Sequence, residues 1–206
     1  PIFFGAAIAF VVSGWVYNIP PIRTKARPYL DVLSEALNSP IRLTLGWSMI
    51  DGATLPPGSL LLAFWMGGAY LMGVKRFAEV RTAEFENTTE SLKLYRASFR
   101  HYTAQSLLLS SFLYAQMAAF FLAVFLIKYR IEYLLAFPFL AALFALYLWL
   151  GLRKSSPTQT PEKLITSRAL IVTVSLAAIA LAVLTFVDIP VLERLTQPHF
   201  IDLSSK

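Results

Sequence analysis

The sequence predicts an all-α fold: a polytopic transmembrane helical bundle of about six spans, formed by residues 1–206 as a single domain. Hydrophobic residues make up 57% of the chain and charged residues only 15%. Soluble domains average about 45–50% apolar and about 25% charged residues, and the mean hydropathy of +0.61 is correspondingly high. The apolar residues also occur in long runs, with the charged residues gathered between them. Together these observations indicate an integral membrane protein.

Six apolar stretches come close to the length of a membrane-spanning helix, which is about 20 residues for a hydrocarbon core of about 30 Å. They cover residues 1–17, 40–56, 59–75, 104–127, 131–152 and 168–190. The second stretch is the weakest candidate because it contains Arg42 and Asp51, and a charge inside the bilayer is costly. We expect this stretch to be short, tilted or shielded by neighbouring helices.

Positive charge is unevenly distributed between the two sides of this predicted topology. The first, third and fifth connections hold four, six and four Lys and Arg residues, whereas the opposite side holds four in all. By the positive-inside rule, the three polar connections are expected to be cytoplasmic and the C-terminus external. The net charge of +6 then belongs mainly to one face, next to membrane lipids. No basic stripe with interleaved aromatic residues indicates a nucleic-acid partner.

The first cytoplasmic connection begins with YNIPPIRTKARP, residues 17–28. Pro20 and Pro21 cannot continue a helix, and each disfavours the helical conformation of the residue before it. The first span is therefore expected to end near Asn18, with the chain continuing as an extended segment.

Three cations in this segment, Arg23, Lys25 and Arg27, alternate at a spacing of two. On an extended backbone they would project to one side, at the mouth of the bundle. Such a group suits a phosphate or diphosphate, because Arg offers forked donors and Lys a point charge. Tyr17 lies beside them at the end of the span. The alternative is ordinary anchoring of a membrane helix next to anionic headgroups.

Asp31, Glu35 and Asn38 follow these cations. If residues 29–38 form a short cytoplasmic helix that ends at Pro40, the three side chains share one face. That face could bind a metal or order the preceding cations. A solvated amphipathic helix is the alternative.

A second charged segment, residues 73–103, follows the third span. It has no Pro or Gly after Gly73, so the span is predicted to continue into the cytosol as one long helix. Lys75 and Glu79 then lie on one stripe, and Arg76 pairs with Glu79 one turn on. Charges at the depth where a helix leaves lipid usually face a cavity and mark a ligand path. The alternative is an exposed, charge-laced helix in water.

Several kinds of site are excluded. The chain has no cysteine, so it has no disulfide, thiolate metal site or cysteine nucleophile, and no G-x-S-x-G motif indicates a serine hydrolase. Its two histidines, His101 and His199, are predicted to lie on opposite sides of the membrane and cannot form a paired metal site. Gly67 and Gly68 indicate close helix packing rather than a phosphate-binding loop.

The segments YNIPPIRTKARPYLDVLSEALNSPIRLTLGW and VKRFAEVRTAE resemble regions of the UbiA superfamily of membrane prenyltransferases. The first is similar to the segment after the fourth span of those enzymes. The second stands where they carry a second aspartate-rich motif, replaced here by K-R-x-x-E. The replacement and the R-P-Y-L-D stretch are most similar to the branch of decaprenyl-phosphate phosphoribosyltransferases.

The resemblance implies a nine-helix UbiA-type fold, of which this chain would be the C-terminal two-thirds, from the fourth to the ninth span. The first Asp-rich motif, which holds the main Mg²⁺ ligands of the family, does not occur in the sequence. The piece alone is therefore expected to be inactive. The resemblance also implies a bacterial inner (cytoplasmic) membrane, with the active-site loops in the cytoplasm.

The activity implied by the resemblance is transfer, with Mg²⁺, of a phosphoribosyl group from phosphoribosyl diphosphate to a polyprenyl phosphate. Phosphoribosyl diphosphate carries more negative charge than a prenyl diphosphate, and the exchange of aspartates for Lys75 and Arg76 favours it. Together with the charge pattern, the resemblance implies that substrate phosphates are bound by Tyr17, Arg23, Lys25 and Arg27. The second substrate is assigned to Lys75 and Arg76. Glu79 is expected to bind metal or to orient these two cations, and Asp31 to support the site from behind.

Two alternatives remain open. One is a conventional UbiA prenyltransferase that moves a prenyl group from its diphosphate, an isoprenoid substrate, to an aromatic or lipid acceptor; the missing aspartate-rich motif argues against it. The other is a transporter or a structural membrane subunit. Transport would favour charges at the bilayer midplane, whereas most charges here cluster at one face.

Overall fold

A computed structural model describes residues 1–153, 158, 164 and 166–192. This part of the chain is helical and contains no strand, which confirms the predicted all-α class. Its eight α-helices are α1 (Ile2–Asn18), α2 (Leu30–Ala36), α3 (Asn38–Ile50), α4 (Gly58–Phe85), α5 (Thr89–Tyr95), α6 (Ala104–Tyr129), α7 (Phe137–Leu152) and α8 (Arg168–Leu184). Short 3-10 helices cover Thr24–Ala26, Ala97–His101 and Ile131–Ala136. Most of the fifth predicted connection, including Lys154 and Lys163, and the C-terminus with His199 lie outside the described residues.

Two helical segments are long and apolar enough to cross a membrane, Ala104–Tyr129 and Ile131–Leu152. The helices α1 and α8 are apolar but have 17 residues each, and α3 has 13. The helix α4 has 28 residues, but its second half carries charged side chains. Two helices thus support the prediction of a membrane protein, but the predicted count of six spans is not confirmed.

The long helix α4 is the centre of the bundle and packs against α2, α3, α6 and α7. Close packing depends on small residues at the crossings. A Cβ on Gly73 would lie 2.5 Å from Ser111 Oγ of α6, and a Cβ on Gly151 of α7 would lie 2.5 Å from a methyl group of Val74. The helix α1 packs on α3, and α7 packs on α8.

The connection after α1 differs from the predicted extended segment. The first helix ends at Asn18 as predicted. The chain then turns, because Arg23 N–H donates to the Ile19 carbonyl at 3.0 Å and Arg27 N–H donates to the Thr24 carbonyl at 2.9 Å. Arg23 has a left-handed backbone, with φ at 35°. The prediction of an extended backbone with cations on one side is therefore wrong.

The predicted helix over residues 29–38 is divided in two. Leu30–Ala36 forms α2, whereas Asn38 begins α3, so Asn38 does not share the face of Asp31. Pro40 does not end a helix. It lies in the first turn of α3, where a missing N–H costs little because those N–H groups have no partner within the helix.

The predicted long helix after Gly73 is confirmed as far as Phe85. Asn87 then has a φ of 55°, in the left-handed region that Asn tolerates better than most residues. This turn separates α4 from α5 and directs residues 96–102 back toward the bundle. There, Phe99 and Tyr102 pack with Phe77 of α4 in a small apolar core.

Candidate functional site

A buried guanidinium lies at the centre of the charged end of the bundle. Arg76 of α4 is only 6% exposed and is surrounded by three carboxylates. Its Nη1 donates to both carboxylate oxygens of Glu79, at 3.0 and 2.8 Å, and its Nη2 donates to Glu35 Oε2 at 3.1 Å. Its Nε lies 3.7 Å from Asp31 Oδ2, too far for a hydrogen bond, and has no hydrogen-bond partner among the described residues. Two helices, α2 and α4, supply these charges.

Asp31 is fully buried and connects α2 to the segment after α5. Ser98 Oγ donates to its Oδ2 at 3.1 Å, and the Tyr102 hydroxyl donates to its Oδ1. Arg96 Nε lies 3.6 Å from Oδ2. The Tyr102 oxygen in turn accepts the backbone N–H of Tyr29 at 2.6 Å. The buried carboxylate is thereby satisfied by several donors, as a buried charge requires.

Tyr17 connects the end of α1 to the same network. Its hydroxyl donates to Glu35 Oε2 at 2.7 Å and accepts from Arg96 Nη2. The Arg96 guanidinium also lies 5.6 Å from the centre of the Tyr17 ring, and its Nε donates to the Lys25 carbonyl at 3.0 Å. We name the whole group, Tyr17, Asp31, Glu35, Arg76, Glu79, Arg96, Ser98 and Tyr102, the Arg76 cluster.

Burial and the neighbouring groups of the cluster shift the pKa values of Arg76 and Tyr102. Burial alone would lower the pKa of Arg76, but the carboxylates of Glu79 and Glu35 raise it above its usual range, so the guanidinium stays charged. Burial and the hydrogen bond to Asp31 raise the pKa of Tyr102, so its hydroxyl remains a donor. Three carboxylates and two guanidinium groups leave the cluster nearly neutral.

The structure brings together four of the predicted site residues: Tyr17, Asp31, Arg76 and Glu79. The pairing of Arg76 with Glu79 is confirmed. The other predicted cations do not join the cluster. They are Arg23 and Arg27, which are exposed; Lys25, whose Nζ donates to Asn18 Oδ1 at 3.0 Å; and Lys75, which is half-buried on α4. Within the described ranges, none of the four forms an ion pair.

Three members of the cluster, Arg96, Ser98 and Tyr102, were not among the predicted site residues, whereas Glu35 was placed with Asp31 on a face that could bind a metal or order the preceding cations. A signal existed for Glu35, because its spacing of four from Asp31 places both on one face of α2. The other three residues carried no such signal, since only the turn after α4 and the short helix α5 return them to the bundle.

The arrangement does not fit the predicted metal role of Glu79. Both of its carboxylate oxygens accept from Arg76, and the guanidinium occupies the space between Glu79, Glu35 and Asp31. In the part of the chain that the structure describes, no group of three or more His, Asp or Glu residues could hold a metal ion. A Mg²⁺ ion would need ligands other than these residues.

The bundle contains two cavities. A small open pocket of about 270 Å³ lies beside Glu79, between the end of α4 and α5, and both polar and apolar side chains line it, among them Glu86, Thr88, Leu92 and Tyr95. A mainly apolar cavity of about 1130 Å³ lies farther along the bundle, between α3, α4, α6, α7 and α8. The small pocket adjoins the Arg76 cluster, whereas the large cavity lies at a different depth.

Comparisons with protein-family models, with characterised proteins and with solved structures found no match for this chain. The resemblance to the UbiA superfamily thus rests on the two sequence segments alone.

Proposed function

We propose that this chain belongs to an integral membrane transferase of the UbiA type, which moves a phosphoribosyl group from phosphoribosyl diphosphate to a polyprenyl phosphate. The observation that carries the proposal is the Arg76 cluster itself. It is a set of buried charges at the point where the apolar first half of α4 gives way to its charged second half. Burying charges at that depth is costly, and proteins usually do so at sites of function. The charged residues come from α2, α4 and residues 96–102, and Tyr17 joins them from α1, so one network sets the relative positions of four segments.

In this proposal the cluster positions other groups and the unpaired cations bind phosphate. Arg76 is already surrounded by carboxylates, so little of its charge is left for a diphosphate. Lys75 precedes Arg76 on α4, and the Lys25 carbonyl is held by Arg96. These two lysines, with Arg23 and Arg27 in the same connection, supply the positive charge that two phosphorylated substrates need.

The pocket beside Glu79 supports the phosphoribosyl group over a prenyl group. Its carboxylates and hydroxyls match the hydroxyls of a ribose, which donate and accept hydrogen bonds. In the proposed reaction, a phosphate oxygen of the polyprenyl phosphate attacks the ribose carbon that bears the diphosphate. The new carbon–oxygen bond forms as the bond to diphosphate breaks, and the diphosphate leaves with the electron pair. The requirement of this reaction for Mg²⁺ stays a prediction.

Two other functions remain as alternatives. A conventional UbiA prenyltransferase would use the apolar cavity for its prenyl chain. The pocket beside Glu79 would then have no role. A structural subunit or transporter is favoured by one observation: the charges of the Arg76 cluster are largely neutralised within the cluster.

The test is to incubate membranes containing the intact protein with labelled phosphoribosyl diphosphate and a polyprenyl phosphate. A parallel reaction contains labelled prenyl diphosphate and an aromatic acceptor. We expect a lipid-soluble labelled product only in the first reaction. Product only in the second would identify the conventional prenyltransferase, and no product in either would overturn the transferase proposal.

Lys75→Ala should abolish turnover while leaving the amount of protein in the membrane unchanged, because it removes an unpaired cation. Lys93→Ala is the matched control, since Lys93 pairs with Glu90 at the surface. Product formation should be normal in the control. Full activity of Lys75→Ala would remove Lys75 from the proposed site.

A further inference from the structure

We propose that the large apolar cavity binds one anionic phospholipid of the bilayer, with the lipid headgroup held by Arg42. This inference does not depend on the proposed transferase activity. It concerns a second site, which shares no residue with the Arg76 cluster.

Arg42 is a cation that forms no ion pair with any residue that the structure describes. It lines the cavity from α3, and its guanidinium lies 5.5 Å from the centre of the Phe10 ring. Among the described residues, no carboxylate lies within 4.0 Å of it, whereas Arg76, Arg96 and Arg130 each approach at least one. A contact with an aromatic ring does not neutralise the charge. Arg42 is exposed, so its charge is available to an anionic headgroup.

The position of Arg42 suits a lipid headgroup. It lies four residues after Asn38, which places its backbone about 6 Å along α3 from the polar end. Side chains on a helix tilt toward its N-terminus, so the long Arg42 side chain is able to extend toward the polar end of α3. A headgroup held there leaves the hydrocarbon chains to extend into the cavity.

The cavity itself suits hydrocarbon. Its volume of about 1130 Å³ is above the range of about 300–1,000 Å³ usual for ligand pockets. Leu43, Phe125 and Phe144 are among the apolar side chains that line it. Phe64 and Leu71 line it too, and each is 43% exposed, so the cavity is open at the side. A phospholipid can enter through this opening, and the abundance of phospholipids in a bilayer favours binding by mass action.

The cavity is separate from the proposed transferase site. The last α4 residue that lines it is Leu71, and Arg76 is five residues beyond, about 7.5 Å along the helix. The Arg42 site is therefore distinct from the Arg76 cluster, and the comparison with farnesyl phosphate below tests whether the cavity holds the isoprenoid substrate instead.

The first experiment measures lipid binding to the intact protein by native mass spectrometry in mixed micelles. The micelles contain dodecyl maltoside with dioleoyl phosphatidylglycerol, with dioleoyl phosphatidylcholine or with farnesyl phosphate. We expect one tightly bound phosphatidylglycerol and weaker binding of the other two. Arg42→Gln should weaken phosphatidylglycerol binding about tenfold, because it removes a charge-assisted hydrogen bond. The control is Arg100→Gln, an exposed arginine outside the cavity that should bind normally.

A second pair of variants tests the cavity without touching the charge. A Cβ on Gly67 would meet no atom within 4 Å, and Gly67 lines the cavity, so Gly67→Leu should fill it and prevent lipid binding. Gly46 on α3 is equally open but lies outside the cavity, so Gly46→Leu should bind lipid as the unaltered protein does.

Three results would overturn the proposal. One is an equal loss of phosphatidylglycerol binding in Arg42→Gln and Arg100→Gln, which would indicate only general attraction to positive charge. Another is undiminished binding in Gly67→Leu. The third is tighter binding of farnesyl phosphate than of phosphatidylglycerol, which would assign the cavity to the isoprenoid substrate instead.

Discussion

At the scale of single residues, Arg76 decides the stability of the charged end of the bundle. Its guanidinium contacts carboxylates from α2 and from its own helix, and a buried charge is stabilised only when it is paired. Removing one partner of such a network leaves the others buried without compensation. The cluster is therefore expected to be far more sensitive to substitution than an ion pair at the surface.

Arg76→Gln should lower the free energy of unfolding by about 3–5 kcal/mol, because it leaves Asp31 and its neighbouring carboxylates without their common cation. Stability can be measured by following the loss of helical structure with increasing sodium dodecyl sulfate. Lys93→Gln removes a surface pair with Glu90 and should cost at most about 1 kcal/mol. Equal losses in the two variants would show that the Arg76 cluster contributes little to stability.

At the scale of secondary-structure elements, α4 is held by close contacts at its glycines. A Cβ on Gly68 would lie 2.5 Å from Ser39 Oγ and 3.2 Å from the Ala36 carbonyl oxygen. The hydroxyl could rotate away, but the carbonyl belongs to the backbone of α2 and could move only with that helix. Gly67, one residue earlier, faces open space. Two neighbouring glycines thus have different structural roles.

Gly68→Ala should destabilise the protein by about 1–3 kcal/mol, because α2 and α3 must move away from α4. Gly67→Ala should be neutral or stabilise the protein by up to about 1 kcal/mol, since alanine favours helix over glycine and meets no neighbour. The same unfolding measurement compares them. A change of the same sign and size in both would mean that helix propensity, rather than packing at Gly68, controls this part of α4.

At the scale of the whole molecule, the helices differ in how well they suit a position in the membrane. Of the six predicted spans, two pass as membrane-spanning helices by length and composition. The helix α4 carries its charges beyond Val74, so its apolar first half can lie in lipid while the second half extends into water. The positive-inside count predicts that this charged half is cytoplasmic.

Cysteines introduced on the two sides of α4 can test this orientation, because the chain has none of its own. Ala53 precedes α4, Ser91 lies in α5, and both are exposed. A membrane-impermeant maleimide should label Ala53→Cys in intact cells and label Ser91→Cys only after permeabilisation. The unaltered protein measures background labelling. Labelling of both positions from the same side would show that α4 does not cross the membrane.

The sequence by itself determined the features that depend on near neighbours. Its hydrophobic content and runs predicted the all-α class, the proline pair predicted the end of α1 at Asn18, and helical spacing predicted the contact of Arg76 with Glu79. These features follow from backbone sterics and from side chains three or four residues apart.

Only the tertiary structure decided how the Arg76 cluster is composed. Asp31 and Tyr102 are 71 residues apart, and Arg76 and Glu35 are 41 apart, so their contacts depend on how α4 packs on α2 and how the turn at Asn87 returns the chain. The same packing surrounds Arg76 with carboxylates and leaves Lys75, its neighbour, without an ion pair within the described residues. The charge of a side chain can be read from the sequence, but its neutralisation depends on which distant groups the fold brings within a few ångströms.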